Sequence, residues 1–173
     1  MKTLYELACT EIPNYDPLRD SEGFTFDENQ AAKFIGFIEE CCTHVKGEWA
    51  GKPLVLNPWQ KAIVANIFGW IDENGLRRYR EVLFYIPRKN GKTILCAAIA
   101  CAIFFIDNEP GAEIYSAAAN EEQAKIVWDM SKQMVKQSPE MMERCKLFQH
   151  SITKELDGSF YKAVSSDAHT KHG

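Results

Sequence analysis

The sequence predicts an α/β fold, a parallel sheet covered by helices, on three observations. An almost unbroken apolar run, Glu81–Ile86, has the length and the aromatic and β-branched character of a buried strand. A longer run, Ile94–Ile106, is apolar on every side and indicates a buried helix. A second strand over Ala112–Ala117 precedes a helix that Asn120 caps. Because strands and helices alternate, we expect parallel strands joined by crossovers of the usual hand.

Two more helices are predicted before these elements. Apolar residues recur at helical spacing from Asp27, which predicts an N-cap, as far as Val45. Asn57 predicts the cap of the next helix, because Pro58 after it suits the first helical position. That helix is expected to end at the turn Asn74-Gly75.

The last third of the chain predicts a β-hairpin. Pro139 ends the helix that begins after Asn120. Two strands follow, Lys146–Ile152 and Ser159–Val164, with a tight turn at Asp157-Gly158 between them.

Length and composition limit how many domains the chain can form and indicate its cellular location. The 173 residues are the size of one domain, and 46% of them are hydrophobic. We divide them into an irregular N-terminal arm, residues 1–26, and a partial domain, residues 27–173. A net charge of −4 excludes a strongly basic nucleic-acid coat, although it allows a local basic groove. With six cysteines in no CxxC pair, no signal pattern and no membrane-length apolar run, we expect a soluble, cytoplasmic protein with reduced thiols.

The loop between the predicted strand and the buried helix carries the chemistry. Its end, Gly91-Lys92-Thr93, resembles the P-loop motif, in which backbone N–H groups and a helix N-terminus hold a phosphate chain. Lys92 would add a positive charge at the outer phosphates, and the Thr93 hydroxyl is the predicted Mg²⁺ ligand. The usual first glycine of the motif is replaced by Ile86. A solvated basic turn between the strand and the helix is therefore the alternative. Arg88 and Lys89 argue against it, because they add two positive charges beside Lys92, and such a cluster suits a polyanion.

Gln60 is the second candidate. It lies in the first turn of the helix after Asn57, upstream of the loop. A glutamine amide there both donates and accepts hydrogen bonds, as the edge of an adenine ring requires. The alternative from the residues alone is an exposed glutamine at a helix start, beside a buried Trp59.

Taken together, these stretches resemble the ATPase region of the large subunit of tailed-phage terminases. Leu56–Gln60 is similar to the family's adenine-contacting segment, and 87–93 to its deviant Walker A motif, which also lacks the first glycine. Tyr115–Ala119 is similar to the second strand, and Ser159–Gly173 to the segment that leads to Walker B.

The resemblance implies a P-loop NTPase-like parallel sheet, incomplete here, with a helical N-terminal lead-in. It implies that ATP and Mg²⁺ are the cofactors. Lys92 and Arg88 are the implied catalytic residues, and the Thr93 hydroxyl is the implied Mg²⁺ ligand. The implied nucleotide-binding set comprises Trp59, Gln60, Arg88, Lys89, Asn90, Gly91, Lys92 and Thr93. The implied partners are double-stranded DNA, the portal protein, the small terminase subunit and other copies of the chain in a ring, and no membrane is implied. The implied location is the cytoplasm of the bacterial host.

The Walker B acids of such a site are not found in the sequence. After Gly111 no apolar strand ends in paired acids, although one is needed to hold Mg²⁺ and activate water. In the family that strand and a nuclease domain would come after Gly173, so we expect a fragment of a packaging ATPase with weak or no turnover of its own. Two alternatives remain at this point: another DNA-stimulated P-loop ATPase of the helicase kind, and a non-catalytic remnant or interaction module.

Overall fold

The computed structural model describes residues 2–165, which divide into two compact units. Within the described residues, unit 1 comprises the chain as far as Glu40 and Leu54–Pro87, and unit 2 comprises Cys41–Pro53 and the chain from Arg88 onward. The α/β class is confirmed, because both units contain helices and strands. The division at residue 26 stays a prediction.

Unit 1 is mainly helical. Its helices are α1 (Leu4–Thr10), α2 (Glu28–Cys41) and α3 (Pro58–Gly69), and its two short antiparallel strands are β1 (Thr25–Phe26) and β2 (Trp70–Ile71). The rings of Phe34 and Phe68 stack with centroids 3.7 Å apart, which joins α2 to α3 in the core. Buried Asn66 on α3 donates hydrogen bonds of 2.9 Å to the carbonyls of Ala8 and Ala62, so α1 is tied to α3.

The N-terminal arm is not wholly irregular. A capping box starts α1, since Thr3 Oγ1 accepts from the Glu6 N–H and the Glu6 carboxylate accepts from the Thr3 N–H. Arg78 holds the later part of the arm by donating to the carbonyl oxygens of Pro17 and Arg19.

Unit 2 is a helical layer on a four-stranded sheet. The helices are α4 (Lys92–Ile106), α5 (Glu121–Gln137) and α6 (Pro139–Met142). The strands are β3 (Glu113–Ala118), β4 (Lys146–Leu147), β5 (Ser151–Lys154) and β6 (Ser159–Ser165). Their order is β3-β6-β5-β4, and α4 and α5 pack against each other and against the sheet.

The predicted parallel sheet is a mixed sheet in the described structure. Only β3 and β6 are parallel, whereas β5 pairs antiparallel with both β6 and β4. The predicted strand Lys146–Ile152 is in fact interrupted, because residues 148–150 turn the chain back between β4 and β5. The hairpin at Asp157-Gly158 is confirmed, with Gly158 in the left-handed region at φ 74°.

The strand predicted over Glu81–Ile86 does not form in the described structure. Residues 81–87 have no regular structure, and no described strand pairs with residues 82–85. Leu83 is 92% exposed and Tyr85 is 99% exposed. Phe84 is only half-buried, and it lines a cavity of about 440 Å³ beside Ile63 and Ile67 of α3. A strand needs a hydrogen-bonded neighbour, so apolar composition alone does not produce one.

Candidate functional site

The predicted site residues fall in both units, and each group has its own local geometry. Trp59 and Gln60 belong to unit 1, and Arg88–Thr93 belongs to unit 2. Residues 166–173, the end of the segment compared with the approach to Walker B, lie outside the described residues.

The basic loop leads directly into α4. Lys89 and Gly91 both have left-handed backbones, at φ 70° and φ 71°. Gly91 is the N-cap of α4, and its carbonyl accepts the first helical hydrogen bond, from the Leu95 N–H at 3.0 Å. Lys92 is the first helical residue, so Gly91-Lys92 lies at a helix start and not inside a helix. This is the loop-to-helix half of the predicted arrangement.

The charges at this helix start are of one sign. Arg88, Lys89 and Lys92 are exposed, and the first turn of α4 holds no acidic residue. The N-terminal end of a helix carries a partial positive charge, and Gly91 brings no side chain to cap it. The arrangement is suited to an anion such as a phosphate group. Thr93, half-buried in the first turn, follows Lys92 directly.

Buried contacts fix α4 against the rest of unit 2. Ser131 Oγ on α5 donates to the carbonyl of Ala97 at 3.3 Å. The Tyr161 hydroxyl on β6 lies 3.2 Å from Ser131 Oγ and 2.7 Å from Ser116 Oγ on β3. Burial raises the pKa of Tyr161 to about 12, so its hydroxyl is neutral and able to donate. These hydroxyls connect the sheet to the helix that carries Lys92.

Gln60 has a structural role besides the predicted adenine contact. Its Oε1 accepts from the Asn57 N–H at 2.9 Å, and the Asn57 side chain accepts from the backbone N–H of Gln60, which completes a capping box. Gln60 is 6% exposed and Trp59 is half-buried. The alternative of an exposed glutamine beside a buried tryptophan is therefore wrong. The signal was present, since an Asn-x-x-Gln spacing marks a capping box.

Metal clusters and membrane helices are both missing from the described part of the chain. No cluster of three or more His, Cys, Asp or Glu side chains in residues 2–165 is arranged to hold a metal ion. Within the same range, no helix has both the length and the apolar character needed to cross a membrane.

Comparison with known proteins assigns the family. A family model described as the ATPase domain of the terminase large subunit matches residues 58–173. The large terminase subunit of Enterobacteria phage HK97 is 32% identical over 146 residues, which cover 82% of this chain and 28% of that protein. The crystal structure of the HK97 large terminase matches with a TM-score of 0.68 at 28% identity, over 83% of this chain and 29% of that one. The chain thus spans under a third of the length of these relatives. It belongs to the family of phage terminase large subunits, within their ATPase domain.

Proposed function

We propose that this chain is the nucleotide-binding part of a DNA-packaging motor. As part of a longer large subunit, it would bind ATP with Mg²⁺ and use it to move double-stranded DNA into a procapsid. The observation that carries the proposal is the position of Lys92. It begins α4 directly after a left-handed glycine, among exposed cations, in a chain of the terminase family.

The residues of the loop have separate roles in this proposal. The first N–H groups of α4 bind phosphate oxygens, and the Lys92 ammonium neutralises charge at the β- and γ-phosphates. Arg88, the other proposed catalytic residue, contacts the γ-phosphate, and Lys89 and Asn90 complete the loop around the phosphates.

Mg²⁺ and adenine are assigned to two other groups. The Thr93 hydroxyl supplies one oxygen ligand to Mg²⁺, a cation that prefers oxygen ligands and spreads phosphate charge when bound. Gln60 contacts adenine: a carbonyl oxygen has two lone pairs, so Oε1 accepts from Asn57 and from the adenine amino group together, while the amide donates to a ring nitrogen. Trp59 packs near the base.

Turnover by the chain alone is expected to be weak or absent. Phosphoryl transfer requires positioning and charge neutralisation together, and Walker B acids are not found in the sequence. The portal protein, the small terminase subunit and other copies in a ring are its proposed partners in the full motor. Family membership favours this function over that of a helicase-like ATPase.

A titration tests the proposal. The folded chain is mixed with a fluorescent ATP analogue and Mg²⁺, and unlabelled ATP is then added as competitor. We expect saturable binding that ATP reverses, with hydrolysis close to the background rate. Absence of binding by a folded sample would favour the non-catalytic alternative. Rapid hydrolysis abolished by Lys92→Ala would show that a catalytic acid lies within these residues.

A further inference from the structure

We propose that the loop formed by residues 44–52, the Trp49 loop, binds the sugar–phosphate backbone of double-stranded DNA without regard to sequence. This inference rests on the proposed packaging function and assigns a DNA-contacting surface within it. The loop belongs to unit 2, and its closing hydrogen bonds and ring contacts lie inside that unit.

Hydrogen bonds close the loop at its base. The His44 N–H donates to the Lys52 carbonyl at 2.9 Å, and the Gly51 N–H donates back to the His44 carbonyl at 2.7 Å. A β-bridge joins Thr43 to Pro53 just outside them. The loop therefore has a defined backbone conformation, which lowers the entropy lost when it binds a partner.

The tip presents an aromatic ring to solvent. A 3₁₀ turn, Gly47–Trp49, forms the tip, and the Ala50 N–H closes it on the Gly47 carbonyl at 3.1 Å. Trp49 is 54% exposed although the backbone around it is well bonded. Tryptophan is highly buried on average in folded proteins, so an exposed one on an ordered loop indicates a contact surface.

The charges beside the ring are mainly positive. The Lys52 Nζ lies 4.4 Å from the centroid of the Trp49 ring, and Lys46, the residue before the 3₁₀ turn, is exposed. Glu48 is the single acid among residues 44–52, and its carboxylate accepts from the Trp49 indole N–H at 3.2 Å. A third cation, exposed Lys136, lies in the last turn of α5, whose final residue, Gln137, is hydrogen-bonded to Thr43 at the loop base.

This combination fits a nucleic-acid backbone better than a protein surface. Lysine ammonium groups bind phosphates, and an exposed ring in the same loop packs on deoxyribose. Neither contact reads the base edges, so binding does not depend on sequence. A motor that moves DNA of any sequence requires this independence. A few lysines give moderate affinity that falls with salt, which permits repeated binding and release.

The experiment measures fluorescence anisotropy of the full chain with labelled 30-base-pair duplexes of two unrelated sequences, from 50 to 200 mM KCl. We expect both duplexes to bind equally. Lys46→Ala/Lys52→Ala should reduce the slope of log K against log salt by roughly 2, about one for each phosphate that no longer has its lysine. Trp49→Ala should weaken binding about fivefold with little change in slope, because it removes an apolar contact with the sugar and no charge.

Matched controls separate the loop from the general surface. Lys33→Ala/Lys146→Ala removes two exposed lysines elsewhere, and Phe148→Ala removes a ring that is 51% exposed. Both controls should leave DNA binding unchanged. Hydrogen exchange of the wild-type chain needs no variant, and DNA should slow exchange within residues 44–52.

Several outcomes overturn the proposal. The first is that the wild-type chain does not bind DNA at 50 mM KCl, and the second is that the loop variants bind DNA as the wild type does. The third is that DNA slows hydrogen exchange only in segments outside residues 44–52. Nucleotide binding, measured in the same samples, distinguishes this failure from that of the proposed function. The loop variants should bind the ATP analogue normally, whereas Lys92→Ala should lose nucleotide and retain DNA.

Discussion

The Oε1 of Gln60 accepts a hydrogen bond of 2.9 Å from the backbone N–H of Asn57, so the side chain proposed to contact adenine also belongs to the capping box of α3. Removal of this side chain would change folding and binding together. The two roles use different atoms, because the cap needs only the oxygen, whereas adenine recognition also needs the amide N–H.

Replacing Gln60 in two ways separates these roles. Gln60→Glu keeps an oxygen for the Asn57 N–H but loses the donor, so we expect near-normal thermal stability and a lost preference for ATP over GTP. Gln60→Ala loses both, and should also cost about 1 kcal/mol of stability as caps do. Thermal melts and competition titrations measure the two effects. Unchanged ATP preference in a folded Gln60→Glu variant would remove Gln60 from the nucleotide site.

Lys89 combines backbone strain with a proposed phosphate contact. Its left-handed backbone, φ 70°, is unfavourable for a residue with a Cβ. Lys89→Gly should therefore raise the free energy of unfolding by about 1 kcal/mol and lower nucleotide affinity, because one cation is removed. Lys136→Gly, in the last turn of α5, is a control that should destabilise by about 1 kcal/mol. A stabilised Lys89→Gly variant with full nucleotide affinity would show that Lys89 does not contact phosphate.

The buried Tyr161 hydroxyl stabilises unit 2 through Ser116 and Ser131. Tyr161→Phe deprives both serines of this partner, so we expect a loss of about 1–3 kcal/mol in urea unfolding. Tyr115→Phe is the matched control. Its hydroxyl is on an exposed side chain bonded to Glu113, and its removal should change stability by less than about 0.5 kcal/mol. Equal effects of the two substitutions would contradict the network.

Asp157 makes stability depend on pH. The pKa of this carboxyl is lowered to about 2. The largest cause is the hydrogen bond with Lys154, and the hydrogen bonds from Ser159 come second. A depressed pKa in the folded state stabilises above the ordinary value near 3.8, and this stabilisation is lost as pH falls from about 4 to about 2. Asp157→Asn should cost on the order of 1 kcal/mol or less at pH 7, since the pair is partly exposed. Urea unfolding at several pH values should show that the difference in the free energy of unfolding between the wild type and Asp157→Asn becomes smaller below pH 4. A difference that does not change with pH would contradict the lowered pKa of Asp157.

Elements with strong local signals were predictable from the sequence. Asn57-Pro58 begins α3 and Asn120 caps α5, because caps act within a few residues of the helix start. The predicted C-terminal ends of α2 and α3 were wrong, because each helix stops where the chain pairs with a segment that is distant in sequence. α2 stops at Cys41, just before Thr43 pairs with Pro53, and α3 stops at Gly69, where β2 pairs with β1.

Within the candidate site, the loop and the helix start were predictable and the strand was not. The motif Gly91-Lys92-Thr93 places a lysine at a helix start through local backbone preferences alone. Glu81–Ile86 has the composition of a strand, but its pairing depends on a partner strand that the motif does not specify. The exposure of Trp49 was also not predictable, because tryptophan is highly buried on average in folded proteins.

The most direct test of the central claim is the dissociation constant of Mg²⁺-ATP, measured by calorimetry for the wild-type chain and for Lys92→Ala, with both shown to be folded at the temperature used. Removal of a charge-assisted hydrogen bond to phosphate predicts affinity weaker by tenfold or more, about 1.4 kcal/mol or above. Equal dissociation constants for the two proteins would contradict a phosphate site at the start of α4.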